Sequence, residues 1–174
     1  KVRKNLRIID ASKIKIEKTN NISNFFNSYL IQSPDNNIFK KNNFKVVSKK
    51  KPNSKTFNNL IFSFNVCRYV KSNAIVLTKD NKTIGIGSGQ PSRLDSCDIA
   101  INKMKKFHKI KKNDEIIAAS DAFFPFVDGI ETLVQAGISA VIQPSGSIRD
   151  KEIIKFADKV GIILVFSKTR HFKH

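Results

Sequence analysis

The run Ser139–Phe166, SAVIQPSGSIRDKEIIKFADKVGIILVF, carries the pattern that decides the fold. Ser139–Gln143 is a short β-rich run. It passes through Pro144-Ser145-Gly146-Ser147-Ile148-Arg149 into Asp150–Val160, where apolar residues recur at helical spacing. Gly161 stops that helix, as a glycine just past a helix end does. Ile162-Ile163-Leu164-Val165-Phe166 then follows as an unbroken apolar strand. A strand with no polar face belongs in a sheet covered by helices on both sides.

The same alternation extends upstream. Asp128–Ala136 reads as a helix closed by Gly137, and Glu115–Ala119 as a strand. Ser92–Lys106 is helical, with Leu94, Cys97, Ile101 and Met104 on one face. Asn73–Thr78 and Thr83–Gly87 flank Asp80-Asn81-Lys82 as a hairpin, which makes the sheet mixed. Phe57, Leu60, Ile61, Phe64 and Cys67 predict a helix from Lys55 to about Val70. The first third is rich in Asn, Lys and Ser; Asn5–Ile9 and Ser28–Gln32 are candidate strands, and Lys40–Ser54, with Pro52, reads as a loop. The expected class is α/β: a mixed sheet with helices on both faces. Residues 1–54 are expected to be an irregular remnant of a preceding subdomain, and 55–174 one subdomain.

At 174 residues and 40% apolar content the chain can bury one real core. The formal charge of +18 has two readings. One is nucleic-acid binding. The other is AT-rich codon usage, because only six of the basic residues are Arg and Lys is spread along the chain. Arg is the residue suited to bidentate phosphate or base recognition, so the distribution argues against nucleic acid. A positive field would still attract anionic small substrates. Cys67 and Cys97 lack disulfide-framework or metal-ligand spacing. There is no signal peptide and no apolar run long enough to span a bilayer, so a cytoplasmic protein without membrane partners is expected. The first residue is Lys rather than Met, which reads as loss of something upstream.

Four stations could carry chemistry. The loop Pro144–Arg149 joins a strand to a helix, where backbone N–H groups and the helix dipole suit an anion; capping by Ser147 and a turn at Gly146 is the plainer alternative. Gly85-Ile86-Gly87-Ser88-Gly89 precedes Gln90–Arg93 at a second junction, with neither Rossmann nor P-loop spacing. Ser120–Asp128, SDAFFPFVD, sets three phenylalanines and a proline in a loop. Such a wall could stack on a planar heterocycle while Asp128 or Asp121 accepts from ring N–H groups, although Phe124 is also a candidate for simple core packing. The tail Arg170-His171-Phe172-Lys173-His174 leaves the last strand on the same edge as these loops. No set of residues has zinc-ligand spacing.

The strings Tyr69–Val76 (YVKSNAIV), Thr83–Arg93 (TIGIGSGQPSR), Ser120–Ile130 (SDAFFPFVDGI), Ala136–Asp150 (AGISAVIQPSGSIRD) and Thr169–His174 (TRHFKH) together resemble the C-terminal part of the AICAR transformylase family. The resemblance is clear from about Asn59 onward. It implies a cytidine-deaminase-like fold without zinc, formyl transfer from 10-formyltetrahydrofolate to the 5-amino group of AICAR, and a homodimeric enzyme whose other domain is IMP cyclohydrolase. It further implies that Asn73, Arg93, Phe123, Arg170, Phe172 and His174 contact AICAR, with Arg170 on its phosphate. Leu94, Asp128, Ser147 and Ile148 match the folate side, and no catalytic metal is implied. Two departures are visible. The loop reads PSGS where many members have PGGS, and Val127 replaces the usual arginine, which would weaken binding of an anionic group.

The family's catalytic base is a Lys-His dipeptide. Here that pair occurs only as Lys173-His174 in the tail, the wrong place for it. An aromatic amine conjugated to a carboxamide is a poor nucleophile and needs a base. The expectation is therefore a fragment of the enzyme, inactive alone. A basic nucleic-acid-binding module and a degenerate remnant of the enzyme are the alternatives.

Overall fold

Strands that are apolar over most of their length and buried on both faces belong in the middle of a sheet, and Ile116–Ser120, Ile138–Pro144 and Ile163–Ser167 occupy that place. The computed structural model describes residues 7–14, 19–37 and 39–174. Contacts divide the chain into two units, residues 1–36 and Asn37–His174. In the first, β1 (Asn21–Phe25) pairs antiparallel with β2 (Ser28–Gln32), turning at Phe26 with φ +51°. The β2 run matches the sequence reading. The candidate strand at Asn5–Ile9 falls partly outside the described residues, and Arg7–Ile9 are not strand. Ile22, Phe25, Phe26, Tyr29, Leu30 and Ile31 are all exposed on this hairpin.

The second unit is built on a six-stranded sheet ordered β3-β8-β7-β6-β4-β5. These are β3 (Phe44–Val46), β4 (Ile75–Lys79), β5 (Lys82–Gly87), β6 (Ile116–Ser120), β7 (Ile138–Pro144) and β8 (Ile163–Ser167). β6, β7 and β8 run parallel, while β3, β4 and β5 pair antiparallel with their neighbours. The sheet is mixed, as the hairpin requires. β3 and a single 3-10 turn at Lys41–Asn43 lie where the sequence reads as loop. Phe44-Lys45-Val46 is too short to announce itself amid polar neighbours, and it is a strand because it lies against β8, with Phe44 opposite Ser167.

Alternation along the strands sorts the core. Val76, Ile117, Ala119, Ile142 and Val165 point to one face, where α1 (Ser54–Cys67) packs with Leu60, Phe64 and Cys67. Ile75, Leu77, Ala118, Val141 and Leu164 point to the other. That face is covered by α2 (Arg93–Phe107), α3 (Asp128–Gln135) and α4 (Asp150–Val160). Helices thus cover both faces. α1 starts at an Asn53 cap, whose side chain accepts the Thr56 N–H at 2.8 Å. It ends at Cys67, short of Val70, because Tyr69 and Val70 bond back to Val66 and Cys67 in tight turns that redirect the chain into β4. Gly137 (φ +91°) and Gly161 (φ +73°) close α3 and α4 in the left-handed conformation expected of them.

The β4–β5 turn is two residues, with both Asp80 (φ +50°) and Asn81 (φ +54°) at positive φ, a type I′ geometry that fits the strand twist. Beneath it, the buried Asn59 carboxamide oxygen accepts from the Thr78 hydroxyl (3.0 Å) and the Asn81 N–H (3.2 Å), tying α1 to the hairpin. Among the described residues no helix is long and apolar enough to cross a membrane. Nor does any group of three or more His, Cys, Asp or Glu stand ready to hold a metal.

Both cysteines are free and buried. Burial pushes the Cys67 thiol well up, the nearby Asp121 charge adding to it, and burial likewise raises Cys97 to about 12. Both thiols therefore stay protonated when folded. Their contribution to stability is full below the unfolded thiol value of about 8.5 and is lost progressively as pH rises above it, at about 1.4 kcal/mol per pH unit per thiol. Denaturant titrations at rising pH should show this decline, and Ellman's reagent should label neither thiol at neutral pH until the chain unfolds. Rapid labelling of the folded chain would contradict the burial.

Candidate active site at the carboxyl edge of the sheet

The loops after β6, β7 and β8 leave the same edge, the usual ligand side of an α/β sheet. β4 begins there too, since Ile75 lies opposite Ser120. A cleft of about 390 Å³ opens on this edge, lined among others by Asn73, Arg93, Leu94, Phe126 and Asp128. Four of these five residues, from three segments of the chain, are expected site residues; the sheet brings them together.

Arg93 is the first residue of α2, which Ser92 caps by accepting from the Leu94 N–H at 3.1 Å. Its side chain is only 11% exposed. Nε donates to the Ser120 hydroxyl at 2.9 Å, and one terminal nitrogen, Nη2, to Asp121 Oδ1 at 2.7 Å. Asn73 uses its amide nitrogen on the carbonyls of Gln90 and Pro91, both at 2.9 Å. That leaves its carboxamide oxygen as an acceptor. Asp128 opens α3 from an exposed position, its carboxylate accepting the Gly129 N–H at 2.7 Å.

The aromatic loop divides its work. Phe124 is buried, with its N–H directed to the Gln143 carboxamide oxygen at 3.4 Å, so it packs in the core. Phe123 is half-buried, and Phe126 is exposed with the Arg149 guanidinium 4.8 Å above its ring. Val127 packs against the core. Arg149 thus brings a cation beside the position where Val127 carries none.

Ser147 and Ile148 are not part of this cleft. Ile148 is fully exposed, and the Ser147 hydroxyl accepts the Arg149 N–H at 3.1 Å. The Gly146 and Ser147 N–H groups point at the Asp150 carboxylate, at 2.8 and 3.3 Å. The loop does form an anion cradle, and a side chain of α4 fills it. Gly85 and Gly87 serve packing: a Cβ at Gly87 would lie 1.9 Å from the Ser96 carbonyl oxygen. The glycine-rich junction is therefore where α2 meets β5.

The tail is held in place. Lys173 exchanges hydrogen bonds with Ser72, and the His171 N–H donates to the Asp121 carbonyl at 2.9 Å. The His171 ring is buried against Phe64, with ring centres 4.3 Å apart. Arg170 is exposed, stacked 5.1 Å over Phe172, whose ring neighbours His174 at 5.6 Å. Ser120 and Gln143 are the contributors that sequence reasoning missed; both lie at strand ends facing the edge, and only the register shows it. A larger cleft, about 710 Å³, lies on the same edge between Phe39, Asn43, Phe44, Ser145, Phe166 and Thr169, and holds none of the expected site residues.

The family model described as "AICARFT/IMPCHase bienzyme" matches residues 1–103. The chain belongs to the AICARFT/IMPCHase bienzyme family. It is 42% identical to the bifunctional purine biosynthesis protein PurH of Bradyrhizobium diazoefficiens, over 99% of this chain and 34% of that protein. It is 44% identical to the PurH of Buchnera aphidicola, over 98% of this chain and 32% of the relative. To the PurH of Leptospira biflexa it is 46% identical, over 83% and 28% respectively. The chain spans about a third of the length of these AICARFT/IMPCHase relatives.

Proposed function

We propose that this chain forms the AICAR- and folate-binding portion of an AICAR transformylase acting in purine biosynthesis. The observation that carries the reading is the cleft in which Asn73, Arg93, Leu94 and Asp128 converge, in a chain of this family. Arg93 donates to the carboxamide of AICAR, Asn73 accepts from its 5-amino group, and Phe123 flanks its base. Arg170 takes the phosphate through its permanently charged fork, with Phe172 and His174 beside the nucleotide. Asp128 accepts from pterin N–H groups, Leu94 packs on the ring, and Ser147 and Ile148 approach the folate from outside the cleft lining. The contact between Arg149 and Phe126, which links their loop to the cleft, supports that placement.

In the reaction, the amine nitrogen of AICAR attacks the formyl carbon of 10-formyltetrahydrofolate. The bond from that carbon to the folate N10 breaks, a base removes the amine proton, and N10 receives one. We read the fold as cytidine-deaminase-like and zinc-free, and the whole enzyme as a cytoplasmic homodimer. The chain contains no Lys-His pair outside its tail, so on its own it binds without transferring the formyl group.

Thermal unfolding with and without ligands tests this. AICAR, and separately a stable 10-formyl folate analogue, should raise the melting temperature with concentration, equivalent to about 2.7 kcal/mol at a hundredfold excess over Kd. Arg170→Ala should abolish most of the AICAR shift and leave the folate shift. No shift with either ligand, together with steeply salt-dependent binding of duplex DNA, would replace this reading with a nucleic-acid one.

A further inference from the structure

A guanidinium recognises a small carbonyl group sharply only if its orientation is fixed before the ligand arrives, because a free arginine side chain carries about 2 kcal/mol of rotamer entropy. Arg93 is held along one edge. Ser120 Oγ takes its Nε–H at 2.9 Å, and Asp121 Oδ1 takes an Nη2–H at 2.7 Å. Ser120 spends its own proton on the Ala122 carbonyl at 2.7 Å, so its oxygen can only accept from Arg93 in this geometry. No hydrogen bond to Nη1 is present among the described residues, which leaves the opposite edge for the cleft.

Asp121 is itself immobilised. Its side chain is 0% exposed, its N–H donates to the Ala74 carbonyl at 3.2 Å, and its carbonyl accepts the His171 N–H at 2.9 Å. The His171 ring is in turn seated between Phe64 and Phe39. Asp121 Oδ2 is buried with no hydrogen-bond partner among the described residues, and Oδ1 takes its ion pair from Arg93. Ala74 adjoins Asn73, and His171 lies between Arg170 and Phe172. Asp121 thus joins three segments: its carboxylate holds the start of α2, its backbone N–H the residue before β4, and its backbone carbonyl the tail.

We propose that Asp121, assisted by Ser120, is the positioning residue for Arg93, fixing the guanidinium so that its Nη1 edge faces the bound ligand. Asp121 does not touch that ligand. It sets the direction of the residue that does, and through its carbonyl it anchors the tail that carries Arg170. The proposal rests on the reading of the cleft as the AICAR site.

The test uses this chain labelled with ¹⁵N, with AICAR as the probe. In the unmodified chain the Arg93 Nε–Hε resonance should be displaced from those of exposed arginines and exchange slowly with water. Asp121→Ala should bring it to the exposed position and weaken AICAR binding roughly tenfold or more, while backbone resonances away from the site stay in place. Asp121→Asn, which keeps the acceptor oxygen and the fold if alanine does not, should give an intermediate resonance and an intermediate affinity. An unchanged Arg93 signal in either folded variant would overturn the proposal, as would unchanged AICAR affinity. If the unmodified chain binds no AICAR, the functional reading fails by itself and the Arg93 resonance still decides whether Asp121 positions it.

Discussion

Arg93→Ala is expected to destabilise the fold by about 3–5 kcal/mol, far more than truncation of a surface arginine. The reason lies with the partner left behind. Asp121 is wholly buried, and Arg93 supplies the counter-charge that it touches. Removing one member of a buried pair leaves the other charge in a medium that cannot solvate it. Replacing both members by apolar residues of similar size, Arg93→Met with Asp121→Leu, removes the charge as well as its partner. That double variant should recover most of the loss, as buried ion pairs often do when exchanged for packed side chains. Urea denaturation of the single and double variants measures the difference directly. Equal midpoints for Arg93→Ala and the unmodified chain would mean that water reaches the Asp121 carboxylate.

Gly87→Ala should be nearly as damaging, costing on the order of 3 kcal/mol or failing to fold. A Cβ there would sit 1.9 Å from the Ser96 oxygen and 2.6 Å from its carbonyl carbon. These are backbone atoms of α2 and cannot swing aside. The helix would have to lift off β5, and overpacking of this kind costs about 1–3 kcal/mol when side chains can adapt, more when backbone must move. Gly85 faces the same problem at the Ala100 oxygen, 2.2 Å away. Gly137→Ala provides the contrast. Nothing lies within 4 Å of its Cβ, so the cost there is the left-handed backbone alone, roughly 1–2 kcal/mol. Denaturation midpoints in the order Gly137→Ala above Gly87→Ala would confirm that close helix approach, rather than turn geometry, is what the Gly85/Gly87 pair provides.

Long periodic elements were legible in the sequence. Leu60, Phe64 and Cys67 mark a helix because a single apolar stripe must be buried somewhere, and Ile162–Phe166 marks a central strand because it has no polar face. Phe44–Val46 and Asn21–Phe25 were not legible. Both are short, and what makes them strands is a partner distant in sequence for the first and a turn with positive φ at Phe26 for the second. No local signal records either event.

The candidate site divides the same way. Residue types mark Arg93 and Asp128, a donor and an acceptor suited to a planar, hydrogen-bonding ligand, while Asn73 is marked only by the resemblance of its motif to the family. Spacing along the chain could not say whether Gly85–Gly89 cradles a ligand or admits a helix, nor whether the amides of Gly146 and Ser147 stand open. Those answers depend on what lies opposite: the Ser96 and Ala100 carbonyls in the first case, the Asp150 carboxylate in the second. The sequence by itself determined the alternation of strand and helix, the burial of the sheet and the family, because these follow from local periodicity and long identical strings. Only the tertiary structure decided that Arg93 is clamped by Ser120 and Asp121 and that the tail is stitched to Ser72 and Asp121. Hydrogen bonds and ion pairs form between atoms a few ångströms apart in space, whatever their separation along the chain.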